Sequence, residues 1–180
     1  MTTVEPIRSK SDIKKVEKVL AKQSPRDLML FVLGTNCGLR ISDLLSLNVG
    51  DVRNKSHIQI IEKKTGKFKK FPINDRLKPM IEDFVKGRRN AEPLFLSHWR
   101  HRLDRVTAYY LIRDACEKAG LQERIGTHSM RKTFGYHHYQ QFKDVVILQK
   151  IFNHSSPQIT LRYIGIEQDQ IDYSYSNFIL

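Results

Sequence analysis

Apolar residues recur at helical spacing along almost the whole chain and change to a strand-like pattern at a single place. That one switch constrains the fold most, because a chain with one short strand pair cannot build a parallel βαβ sheet and must bury its helices against one another. Residues 11–23 place Ile13, Val16, Val19 and Leu20 on one helical face, with Ser11 or Asp12 as cap. Ser24-Pro25 opens a second helix, which carries the apolar run 28–33 and ends near Cys37-Gly38. Ser42 is the expected cap of a short third helix. Runs 57–61 and 68–73 then flank Lys64-Thr65-Gly66-Lys67 as a β-hairpin. Helices are expected over 75–86, 107–119, 129–141, 145–152 and 157–163, and Ile171, Tyr175, Phe178 and Ile179 share helical spacing in the tail. The expected class is mainly α with one small antiparallel sheet (α+β).

Length and charge narrow the partners. With 180 residues, 40% of them hydrophobic, the chain can fill one core, so 1–180 reads as a single domain with a flexible start over 1–10 and a tail over 164–180. Thirty-one Lys and Arg against 19 Asp and Glu leave a net charge of +12, which attracts polyanions and makes nucleic acid the leading partner class. An acidic membrane would need a basic amphipathic helix or a lipid anchor, and the sequence offers neither. The run 28–33 falls far short of the roughly 20 apolar residues of a bilayer span. Met1 to Pro6 lack the charged-then-apolar pattern of a leader. Cys37 and Cys116 are too few for a disulfide framework or a Cys-rich zinc site, so a cytoplasmic, nucleoid-associated protein is expected.

Four places gather groups suited to phosphodiester chemistry. Gly38-Leu39-Arg40-Ile41-Ser42-Asp43 sets an arginine at the mouth of a helix, with a carboxylate three residues on. Lys64 sits at the hairpin tip. His128 and Arg131, at i and i+3, share one helical face. His154 follows Asn153, and Tyr163 lies nine residues beyond it.

In this order and at this spacing, Arg40, Lys64, His128, Arg131, His154 and Tyr163 resemble the tyrosine recombinases of the phage-integrase family. The resemblance runs from about residue 11 to residue 175. It implies an integrase-like catalytic domain, a DNA breaking-rejoining fold whose six groups surround one DNA phosphate. It also implies site-specific recombination through a 3′-phosphotyrosyl intermediate, with no metal, nucleotide or other cofactor.

The chemistry suits the residue types. Tyr163 would be the nucleophile, losing the proton of a phenol whose ordinary pKa is about 10. Arg40 and Arg131 would hold the charge that builds on the non-bridging oxygens, and His154 would add a donor. His128 would move the nucleophile's proton, and Lys64, preferred over Lys67, would protonate the leaving 5′ oxygen. Asp43, where the family carries Glu or Asp, would orient Arg40 or His128. The family's turn commonly has Gly before the histidine; Asn153 suits that place if the backbone is left-handed there.

Other readings compete. Each residue alone is an ordinary surface or core side chain, and Trp99 fits a DNA-facing or a core position equally. His128, His137, His138 and His154 show no metal-ligand spacing. Lys63, Lys67, Lys69, Lys70, Arg100, Arg102 and Arg105 are expected to track the DNA backbone, supplying salt-dependent affinity. The partners expected are double-stranded DNA and further copies of the chain, a monomer free and a tetramer on paired sites, with the tail exchanged between protomers. The N-terminal domain that clamps the other face of the DNA in full-length integrases is expected to be absent. Rival activities are type IB topoisomerase-like nicking and closing, or a catalytically silent DNA-binding module.

Overall fold

The structure, a computed structural model, describes residues 4–179. Its first helix, α1 (Lys10–Gln23), is capped by Ser9, whose side chain accepts from the Asp12 amide at 3.3 Å. The cap therefore lies before Ser11, because Ser9 alone has the extended backbone that aims its hydroxyl at the first turn. Ser24 caps α2 (Pro25–Cys37) as expected, and Gly38 closes it with φ 61°. Glycine is needed there twice over, since a Cβ would also meet the Phe134 ring at 2.5 Å. In α3 (Ile41–Leu44) the cap position belongs to Arg40; Ser42 lies inside the helix, not at its start.

Strands β1 (His57–Ile61) and β2 (Phe68–Pro72) pair antiparallel, from His57 opposite Pro72 to Ile61 opposite Phe68. Helix α4 (Leu77–Phe84) starts two residues later than expected, where Asn74 accepts from the Leu77 amide. Asp104 caps α5 (Arg105–Lys118), which precedes the central α6 (Thr127–Phe142). Then come α7 (Val145–Phe152), α8 (Pro157–Ile164) and α9 (Ile166–Asn177), the last two joined by left-handed Gly165. The mainly α expectation with one small sheet is borne out.

Two apolar cores result. The larger one gathers Val16, Leu20, Leu30, Phe31, Ile58 and Ile112, with others between Ile7 and Met130. The smaller holds Leu148, Phe152, Ile164 and Ile166 against Phe134, Tyr136 and Tyr139 of α6. Residues 5–8, expected to be flexible, are docked instead. The Glu5 amide donates to Arg124 O, Ile7 is buried, and its amide donates to Thr133 Oγ1 at 2.8 Å. Only Ile166 of α9 is buried, while Ile171, Tyr175, Phe178 and Ile179 are exposed. Cys37 and Cys116 are free and buried. Among the described residues no helix is long and apolar enough to cross a membrane.

Gly135 sets how closely α6 approaches α8. A Cβ there would meet Ile164 Cγ2 at 2.6 Å and the Phe152 ring at 2.7 Å, both inside van der Waals contact. Gly135→Ala should destabilise the protein by about 1–2 kcal/mol, overpacking outweighing the roughly 1 kcal/mol helix preference for Ala. A urea midpoint equal to or above that of the parent protein would show that the two helices are not in contact there.

Candidate active site

The site is assembled from helix ends. Arg40 has extended backbone just before α3, and its Nη1 lies 3.0 Å from Glu62 Oε1. Neither atom meets hydrogen-bond geometry, so the contact is one of charge. Glu62, fully buried beside the end of β1, accepts through Oε2 from Thr65 Oγ1 at 2.7 Å and from Asn153 Nδ2 at 2.8 Å. Those donors and the neighbouring Arg40 and Lys69 overcome the cost of burial and hold its carboxyl below the usual range. Asp43, also buried, does not bond Arg40 or His128. Its Oδ1 accepts from the Lys63 amide at 2.9 Å and anchors the hairpin.

His128 and Arg131 occupy the first turns of α6, the former exposed and the latter buried. The Arg131 guanidinium donates to Gly38 O and, at 2.9 Å, to Phe152 O, and lies 4.2 Å above the Phe152 ring. Asn153 takes φ 53°, the left-handed conformation expected of it, and turns the chain so that His154 faces α8. The His154 ring stands edge-on to Tyr163 at 5.1 Å, and its Nδ1 is 3.1 Å from the buried Thr160 hydroxyl. Phe152 packs on Tyr163 at 5.6 Å, and Lys132 Nζ lies 5.2 Å from the tyrosine ring. Beside this cluster an open groove of about 740 Å³ is lined by Arg40, Lys63, Lys64, Arg102, Arg105 and His128, among others.

Electrostatics ties these groups together. Although the His128 residue is exposed, partial desolvation of its ring by the surrounding protein lowers its pKa, as do the charges of Arg131, Lys132, Arg40 and Lys64. Burial, Arg131 and Arg40 push His154 down to about 4. Burial raises Tyr163, against the pull of the same two arginines. Hydrogen bonds and packing bring these groups together: Arg131 donates to Gly38 O, two residues before Arg40, and to Phe152 O, two residues before His154, whose ring packs on Tyr163. Lys64 borders the cluster from the exposed hairpin tip.

Two of the basic residues expected to face DNA are turned to other tasks. Lys69 donates to Ile151 O at 2.9 Å and lies 3.9 Å from Glu62. Burial and Arg131 bring its pKa down to about 8. Arg102 lines the groove, yet its guanidinium bonds Leu45 O, Leu47 O and Asn48 Oδ1. Lys63, Lys67, Lys70, Arg100 and Arg105 are exposed, as is Trp99 at 79%. Glu62 and Thr160 escaped sequence reasoning. The only signal for Glu62 was a lone acid between an apolar strand and a lysine run.

Solved structures share the fold. A crystal structure of XerA recombinase superposes with a TM-score of 0.76 at 21% identity, covering 99% of this chain and 66% of that one. A lambda integrase dimer bound to a COC' core site gives 0.73 at 18%, covering 91% and 49%. The fold is thus that of tyrosine recombinase catalytic domains. The chain belongs to the phage integrase family, whose profile matches residues 9–169. It is 47% identical over 179 residues to the Bacillus subtilis (strain 168) protein named "Probable integrase/recombinase YoeC", covering 99% of this chain and 98% of that protein. It is 29% identical to "Tyrosine recombinase XerA" of Pyrococcus horikoshii, covering 88% of this chain but 56% of that relative. It therefore spans about half the length of that recombinase.

The depressed His154 pKa gives a pH test. The unfolded chain binds this proton near the ordinary value of 6.5, and the folded one only near 4. Its contribution to stability is therefore complete above about pH 6.5 and lost as pH falls toward 4. The His154 ring signals in an NMR titration should stay neutral down to about pH 5, and His154→Gln should flatten the acid limb of the stability profile. Ring protonation near 6.5 would contradict the burial described.

Proposed function

We propose that the chain cleaves and rejoins DNA strands by a 3′-phosphotyrosyl route that requires neither metal nor ATP. The observation that carries this reading is the convergence of Arg40, Arg131, His154 and Tyr163, joined through Gly38 O, Phe152 O, Glu62 and Asn153, beside the groove that His128 lines. A DNA phosphate seated there faces two guanidiniums that remain protonated at any working pH. The Tyr163 oxygen attacks phosphorus, and its proton passes to His128, which is neutral and able to accept it because its pKa is lowered. The 5′ oxygen departs with a proton from Lys64. The 3.1 Å contact between His154 Nδ1 and the Thr160 hydroxyl holds the ring in place, and in the tautomer protonated on Nε2 the ring donates to the phosphate.

Rejoining reverses these steps. An incoming 5′ hydroxyl displaces the tyrosine, Lys64 takes up its proton, and the bond energy is kept. Exposed Lys63, Lys67, Lys70, Arg100 and Arg105 would contact the flanking backbone. The bare apolar stripe on α9 supports exchange of the tail between protomers of a DNA-bound tetramer.

A nicked suicide duplex, from which the cleaved strand diffuses away, should trap a covalent protein–DNA adduct with chelator present and ATP absent. Tyr163→Phe should abolish the adduct while changing DNA affinity less than about threefold, since one hydroxyl contributes little beside the phosphate contacts. Arg40→Ala should slow adduct formation about 10²–10³-fold, the usual loss when one donor to a developing oxyanion is removed. An adduct that persists in Tyr163→Phe would assign the nucleophile elsewhere.

A further inference from the structure

Beyond the groups that would touch DNA, one buried carboxylate joins three parts of the site that are far apart in sequence. Glu62 sits at the base of the hairpin, 3.0 Å from Arg40 and 2.8 Å from the Asn153 side chain, and it also accepts from Thr65 within the hairpin turn. A second tie runs parallel to it, from Lys69 of β2 to Ile151 O near the end of α7. The Lys63 amide is held by Asp43. The hairpin base is therefore fixed to the Arg40 loop and to the His154 turn, while its tip, 63–68, stays exposed.

Asn153 is the informative member. Its backbone is left-handed, a conformation that glycine adopts without steric cost and asparagine with some. What asparagine adds is an amide donor, and that donor goes to Glu62. We infer that Glu62 and Asn153 form a latch that positions Arg40 and His154 relative to each other, so that both meet the same phosphate. The latch residues are positioning residues, because neither touches the reacting atoms. The inference rests on the strand-cleavage reading above and adds to it the elements that align the charge-stabilising groups.

Asn153→Gly tests this without disturbing the turn, since glycine favours the observed φ. On the nicked duplex the variant should form adduct about ten- to hundredfold more slowly, the penalty of a small misplacement of binding groups, with DNA affinity within about twofold of the parent. Hydrogen exchange at the Glu62, Gly66 and His154 amides should quicken together. In a Glu62→Gln background the same Asn153→Gly change should cost far less, because the pair acts as a unit. Adduct formation at the parent rate would overturn the latch, as would an affinity loss matching the rate loss. Exchange that quickens at His154 while the hairpin amides stay unchanged would overturn it too. If the parent protein itself formed no adduct, the cleavage reading would fall, and the exchange comparison would still decide whether hairpin and turn are coupled.

Discussion

Arg131 crosses the seam between the two apolar cores, and most of the site depends on that crossing. Burying a guanidinium is costly unless its donors are matched. Here they meet Gly38 O, at the C-terminal end of α2, and Phe152 O, the last residue of α7, with the Phe152 ring beneath the cation. Both carbonyls stand at the negative ends of helices, which suits a cation. One side chain thus fixes the Arg40 loop to the turn before His154, and its charge still reaches the phenol and the two imidazoles.

Much of the fold was legible in the sequence. Ser24-Pro25 and Gly38 bracket α2 because capping and left-handed closure are local chemistry that few residues perform. Asn153 was legible for the same reason, since its small polar side chain tolerates a positive φ. The hairpin followed from the change of period and a Thr-Gly turn. Boundaries were less legible where a neighbour supplied the cap, as Ser9, Asn74 and Asp104 do.

The partners of the charged residues were hidden. Lys69 looked like its neighbours Lys67 and Lys70, but strand alternation turns it inward, where Ile151 O and Glu62 receive it. Asp43 was expected to serve Arg40 or His128 and instead holds the Lys63 amide, leaving Glu62 beside Arg40. These pairings are set by which loops meet across α6, and periodicity carries no information about that. Thr160 was hidden likewise, because one helical turn in α8 brings its hydroxyl back to His154.

The division into two cores has a mechanical consequence. Tyr163 rides on the smaller body, where four buried apolar side chains hold α7, α8 and the start of α9 together, far fewer than stabilise the rest. Regions with few buried contacts open at lower free energy than the whole molecule. Opening of this part is therefore expected to cost less than unfolding of the larger body, and it would carry the phenol with α8 once the Arg131 bonds to Gly38 O and Phe152 O give way.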